Sequence, residues 1–264
     1  MLIACSASGR ENANAESIGI LTAHGLSEYQ IQCVLGKYPA VLVSLTPSSL
    51  DAKLLRLTEL GFPPSEEKGL LEREPYILTS SLQLDTVQWL KGEGFAPEVA
   101  RRMVKGHPYL LIYSPETNLS KTLDYFTWLV GSREDARLIF AKSPSMFGLR
   151  ESTVHAKLAF MVDKLDIDVV TMMKHNYNCV SFSMDTRTGP RTLLLCSLGG
   201  AAAFEVYSSP WLHLTDEAFV QRSSFCALWE DRPRDVFEGA ANLREGLELC
   251  KEQWVREEKL GWEK

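Results

Sequence analysis

Apolar positions recur along this chain in helical stripes, and a proline followed by a short apolar run interrupts the stripes at a nearly constant interval. The marker pairs are Tyr38-Pro39, Glu74-Pro75, His107-Pro108 and Ser143-Pro144, with the prolines spaced 36, 33 and 36 residues apart. Three positions after each proline stands Leu42, Leu78, Leu111 or Phe147. Further downstream come the stripes Leu50/Leu54/Leu57, Val87/Leu90, Leu119/Leu123/Phe126 and Val154/Leu158/Met161/Leu165. Upstream lie Ile31/Val34/Leu35, Leu70/Leu71, Val99/Met103/Val104 and Leu138/Ile139/Phe140. A glycine and a large apolar residue mark the junctions Gly25-Leu26, Gly61-Phe62 and Gly94-Phe95. A degraded fifth copy runs through residues 177–183, with Tyr177 standing 33 residues after Pro144 where a proline belongs, and a partial sixth ends near residues 214–222.

Proline lacks an N–H and crowds the preceding turn, so each marker ends the helix before it. The run that follows, such as Tyr109-Leu110-Leu111-Ile112-Tyr113, has a strand-like composition. Without alternating partner strands elsewhere, the pattern predicts a 3₁₀ or irregular turn there that crosses to the next helix. Each unit is then two helices joined by a short turn, too apolar to be stable alone, so neighbours must stack. The predicted fold class is all-α: a right- or left-handed α-solenoid of such repeats, wound into a curved superhelix. Residues 1–16 read as a flexible N-terminal segment, 17–222 as the repeat domain, and 223–264 as a charged tail.

Within the tail, Val236, Ala240, Leu243, Leu247, Cys250 and Trp254 step by 4, 3, 4, 3 and 4 behind the cap-like Asp235-Val236-Phe237-Glu238. That period of 3.5 predicts an amphipathic helix. It either covers the exposed core of the last repeat or docks a partner protein, and the sequence leaves both open.

Composition narrows the chemistry. With 45% hydrophobic and 23% charged residues among 264, there is ample material for a continuous core. Uncharged runs reach at most 13 residues, as in 192–204, too few to span a bilayer, so no membrane partner is expected. Cys5, Cys33, Cys179, Cys196, Cys226 and Cys250 lie far apart and read as small buried hydrophobes in a reducing compartment. The histidines lack the paired spacing of a zinc site, and His24, His107, His155 and His175 have no carboxylate or nucleophile at dyad spacing. Gly-rich phosphate loops, H-E-x-x-H and G-x-S-x-G are missing. No catalytic residue, metal, cofactor or small-molecule substrate is therefore expected. Residues 1–16 show neither a signal peptide nor an organelle presequence.

The repeat reads G-[LF]-…-P-x-[ILM]-[LF]-…-L-x-x-[KTV]-L, and over residues 17–222 it resembles the mTERF family of mitochondrial transcription termination factor-like proteins. Ser183-Met184-Asp185-Thr186-Arg187-Thr188-Gly189-Pro190-Arg191 is similar to the family's S-L-x-x-R-x-x-P-R, and Leu214-Thr215-Asp216-Glu217-Ala218-Phe219 to its closing L-S-D-x-x-F. The resemblance implies a curved superhelix whose concave, basic face holds double-stranded nucleic acid, DNA or structured RNA, inside a mitochondrion or chloroplast. It implies roles in transcription termination or initiation, RNA maturation or ribosome assembly. The alternative function is a structural adaptor or rRNA-binding component of an organelle ribosome.

Charge qualifies that expectation. The chain carries a formal −6, of which −3 falls in residues 223–264. A phosphate-binding protein is more often basic, so local cations matter more than the net figure. Arg101, Arg102 and Lys105 fall on one helical arc. Arg133 and Arg137 form an i,i+4 pair, with Lys142 at the end of the same helix. Lys157 and Lys164 mark the next helix, and Arg187 and Arg191 are again i,i+4. The candidate phosphate contacts are Arg101, Arg102, Lys105, Arg137, Lys142, Lys157, Arg187 and Arg191; the bland reading of each is a solvated helix face. Trp89, Tyr125 and Trp128 read as core.

Overall fold

The computed structural model describes residues 14–60, 64–83, 85–199, 214–221, 226, 229–230, 232, 237–238 and 240–258. The junction Gly61-Phe62 and the tail positions Asp235 and Val236 lie outside them. Among the described residues every regular element is helical. In chain order the α-helices are α1 (14–23), α2 (Glu28–Lys37), α3 (Ala40–Ser44), α4 (Pro47–Glu59), α5 (Pro64–Arg73), α6 (Thr86–Gly92) and α7 (Pro97–Gly106). Then come α8 (Ser120–Val130), α9 (Arg133–Lys142), α10 (Glu151–Leu165), α11 (Val169–Asn176), α12 (Gly189–Ser197), α13 (Asp216–Val220) and α14 (Leu243–Gln253). The protein is an all-α helical-repeat chain. It divides into two compact units, residues 1–121 with 140–147, and residues 122–139 with 148–264.

The proline runs adopt the predicted turn. Pro75–Leu78, Pro108–Leu111, Pro144–Gly148 and Tyr177–Ser181 are all 3₁₀, while the first copy closes as the short helix α3. The residue before the proline shows why. Tyr38, Glu74 and His107 sit at φ −145, −133 and −141°, pushed out of the helical region by the following ring. Tyr177, which replaces the proline, keeps φ −53° and ψ −26°, so α11 runs directly into its 3₁₀ turn.

In the first unit, successive crossings stack in register: the rings of Tyr76 and Tyr109, one residue after their prolines, lie 4.2 Å apart and nearly parallel. Leu50, Leu54 and Leu57 of α4, Leu70 and Leu71 of α5 and Met103 and Val104 of α7 are fully or almost fully buried. Each such side chain contributes about 2 kcal/mol of transfer free energy. Gly25 and Gly94 end α1 and α6 at φ 82° and 90°, which lets the N–H groups of Leu26 and Phe95 reach back to the Leu21 and Leu90 carbonyls at 3.1 Å. The large residue after each glycine is thereby turned into the core.

In the second unit, α10 buries Val154, Leu158, Met161 and Leu165, and Asp166 takes the left-handed position that glycine holds elsewhere, at φ 51°. Residues 189–195 of α12 are all buried, because α10 covers one side and α14 the other. The tail helix is shorter than its stripe suggests. Asn242 caps α14 by accepting from the Glu245 N–H at 3.1 Å, while Phe237 adopts a left-handed φ of 58°, so no helix runs through that position. At the other end of the chain residues 14–16, within the segment expected to be flexible, are already helical, and Ser17 and Leu21 pack into the core.

Candidate nucleic-acid interface

The side chains proposed as phosphate contacts separate into two chemical groups: exposed cations near helix ends, and buried cations that fasten one repeat to the next.

Lys157 belongs to the second group. It lies on the inward face of α10, is only 7% exposed, and donates its ammonium to the Val180 carbonyl at 2.9 Å and the Phe182 carbonyl at 2.6 Å. Those carbonyls lie at the end of the crossing of the following repeat. Burial pushes the Lys157 ammonium below its usual range. Lys53 on α4 makes the same kind of bond to the Ser80 carbonyl, just past the crossing of the next repeat. Helix ends are tied similarly. Lys37 donates to the Glu72 carbonyl at 2.9 Å, and Arg73 donates to the Lys105 carbonyl. Lys157 is therefore not a phosphate contact, which corrects the expectation from spacing. Its place within Val154/Lys157/Leu158/Met161 was the available signal that it points inward.

Arg191 is corrected for the same reason. Its residue is fully buried, and one guanidinium nitrogen donates to the Leu214 carbonyl at 2.9 Å and to Asp216 Oδ1 at 2.7 Å. The guanidinium also lies 4.6 Å from the centre of the Phe219 ring. The R-x-x-P-R and L-T-D-x-x-F stretches are thus the two halves of one clasp. Asp216 accepts a further bond from Lys251 of α14 at 2.7 Å. Burial alone would raise the Asp216 carboxyl, but the bonds from Lys251 and Arg191 outweigh it and hold the group below the ordinary carboxylate range. Close by, Trp254 donates its indole N–H to Asp185 Oδ1 at 3.1 Å and packs edge-on against Phe160. Arg187 is half-buried, with its guanidinium 5.3 Å from the Phe182 ring centre. Arg133 pairs with Asp124 at 2.6 Å, Arg137 is half-buried, and Lys164 lies 6.0 Å from the Phe160 ring.

The exposed group lies in the first unit. Arg101, Arg102 and Lys105 project from α7 opposite the buried Ala100, Met103 and Val104. They do not share one hollow. Arg101 lines a recess with Lys91 and Glu98. Arg102 faces a different one of about 360 Å³, together with Gly106, His107, Lys142, Ser143 and Ser145. The ends of α7 and α9, from successive repeats, therefore bring Arg102 and Lys142 to one polar cleft. Burial pushes the His107 imidazole below its usual range, so it is neutral at physiological pH and offers a hydrogen bond in place of a charge. Its Nε2 has no hydrogen-bond partner among the described residues. Residues 101–150 carry eight basic and four acidic side chains, so the cleft sits in the most basic stretch of a mildly acidic chain. An arginine fork, an ammonium and two hydroxyls at one concave place suit the oxygens of a phosphate diester.

Other chemistry has less support. His24 Nε2 approaches Asp51 Oδ1 to 2.8 Å, a pairing that sequence spacing hid, and it links the end of α1 to α4. Burial pushes the Cys179 and Cys250 thiols up to about 12, which leaves them inert. Among the described residues, no His, Cys, Asp and Glu side chains are grouped to hold a metal ion, and no helix is long and apolar enough to cross a membrane. Trp89 and Tyr125 are half-buried, but Trp128 is 70% exposed, against the expectation that it packs in the core.

The sequence model of the mTERF family matches residues 18–86 and 83–220, most of the chain. A search of curated proteins gives no match.

Proposed function

We propose that this chain, which belongs to the mTERF family of helical-repeat, nucleic-acid-binding organelle proteins, grips the backbone of a duplex in a mitochondrion or chloroplast and so regulates transcription or RNA maturation. The family's members are not typically enzymes. The observation that carries the reading is the cleft where Arg102 and Lys142 converge from successive repeats beside Ser143 and Ser145. Arg101 and Lys105 are the other exposed cations of α7, Arg101 beside a separate recess.

Four exposed cations at the interface give a log–log salt slope of about −3.6 on duplex DNA, because each phosphate neutralised contributes about −0.9. Replacing Arg102 and Lys142 together by alanine is expected to flatten that slope by about 2, weaken binding to all sequences alike, and leave thermal unfolding unchanged. An unaltered slope in the double variant, or duplex binding that ignores salt in the parent protein, overturns the reading.

A second reading has its own support. The net charge of −6 and the exposed Leu249 and Val255 on the acidic tail suit an adaptor that sits in an organelle ribosome and meets structured RNA and protein together. Co-sedimentation of the native protein with ribosomal particles through high salt is its test; loss of the particles at moderate salt rejects it.

A further inference from the structure

Trp128 is the odd residue of α8. The helix buries Leu123, Phe126, Leu129 and Val130, yet leaves its largest side chain 70% exposed. Few side chains have more apolar surface to hide, so an isolated exposed tryptophan asks for an occupant. It is not floppy bulk: Tyr125, one turn earlier, stacks on it with ring centres 5.9 Å apart and planes at 30°. The two rings form one wall of a recess of about 780 Å³, whose other wall is the start of α10, with Arg150, Glu151, Ser152 and His155. That is ample for one nucleotide.

Three further observations describe what fits there. Arg150 occupies the N-cap position of α10 but makes no side-chain cap bond, and Glu151 is the one acidic residue of the first turn. The guanidinium of Arg150 stands exposed at the same place. The Tyr125 hydroxyl is buried and has no hydrogen-bond partner among the described residues, so of this side chain it is the ring that is offered. Flat apolar rings and an exposed guanidinium lining one recess match a base and its phosphate. A protein partner asks for a broader apolar patch than two neighbouring rings, and Arg150, Glu151, Ser152 and His155 line the other side of the recess.

We propose that Trp128 and Tyr125 form a stacking platform for an unpaired nucleobase, with Arg150 and the start of α10 holding the phosphate of the same nucleotide. The proposal rests on the nucleic-acid-binding reading above but concerns single-stranded segments, which the cleft at Arg102 and Lys142 does not address.

The test uses the full chain, an oligothymidine and an oligouridine of about ten nucleotides each, and a blunt duplex. Trp128→Ala is expected to weaken both single strands about 5- to 150-fold, the range that one base–aromatic stack is worth, with duplex affinity changed less than about two-fold. Trp128→Phe restores most of the loss. Arg150→Ala weakens the single strands and flattens their salt slope by about 0.7. Unchanged single-strand affinity in Trp128→Ala overturns the platform and assigns the exposed ring to a protein partner. Equal loss on single strand and duplex overturns it too. Duplex binding by a parent protein that ignores single strands sinks only this inference, whereas failure to bind either sinks the functional reading.

Discussion

Arg191 and Asp216, 25 residues apart in the chain, meet at 2.7 Å, with the arginine side chain almost wholly buried and the aspartate about one-third exposed. This pair joins α12 to α13, and through Lys251 it reaches α14. Removing one partner of a buried pair leaves an uncompensated charge and typically costs about 3–5 kcal/mol. Arg191→Ala is therefore expected to cost about 3 kcal/mol or more in urea unfolding. Asp216→Asn leaves the buried Arg191 guanidinium without its counter-charge and is expected to cost as much, about 3 kcal/mol. Any loss of nucleic-acid binding in Arg191→Ala should follow the unfolded fraction; a stable Arg191→Ala variant that has lost binding contradicts the structural role.

The same clasp sets an acid limit. The Asp216 carboxyl is held below its ordinary value, so its ionised form stabilises the fold at every pH above the unfolded value of about 3.9. That contribution is lost as pH falls through the folded value. Below about pH 4 the parent protein should lose stability more steeply than Asp216→Asn, and the two stability curves should converge toward acid. Parallel curves down to pH 2 remove Asp216 from the acid response.

Much of this was legible in the sequence because the fold depends on local rules. A proline displaces the residue before it, a glycine turns the chain, and a stripe of leucines needs a neighbour; Pro75, Gly94 and Leu50/Leu54/Leu57 each act on nearby backbone. The cations were harder. Charge and helical spacing are the same for Arg102, which lies exposed at a cleft, and for Arg191, which closes a contact with a segment 25 residues away. Only the fold distinguishes a lysine that reaches solvent from one like Lys157, which bends its head to another repeat's carbonyls. Trp128 misled for the opposite reason. It sits in an apolar helix, but a helix has an outer face, and spacing relative to Leu123 and Phe126 puts Trp128 on it.

Lys157 offers a clean separation of packing from hydrogen bonding. Lys157→Met keeps the length of the stem and removes the donor to Val180 and Phe182. Two carbonyls then lose their partner, at a cost of about 1–3 kcal/mol each if no water replaces the ammonium. Lys157→Ala adds an unfilled volume and should unfold more easily still. Both variants are expected to bind duplex nucleic acid with the parent's salt slope at temperatures where they stay folded. A slope flattened by about 1 in a folded Lys157→Met protein returns the residue to the interface.

The tail is anchored by a fit between Trp254 and Gly189. Trp254 is completely buried, and a Cβ added at Gly189 would lie 2.5 Å from its Cδ2 atom and 2.7 Å from the Met184 carbonyl oxygen. Neither neighbour yields easily, because one is a buried indole tied to Asp185 and the other is backbone. Gly189→Ala is thus an overpacking change, expected to cost about 1–3 kcal/mol. Trp254→Ala empties the same space and costs about 3–5 kcal/mol. Since the two changes act on one contact, their effects should not add: in the Trp254→Ala background the Gly189→Ala cost falls by about 1 kcal/mol, the remainder reflecting the Met184 carbonyl, which stays in place. Urea unfolding of the four proteins measures this directly. Strict additivity would mean that the indole does not rest on Gly189, and α14 would then need another anchor on α12.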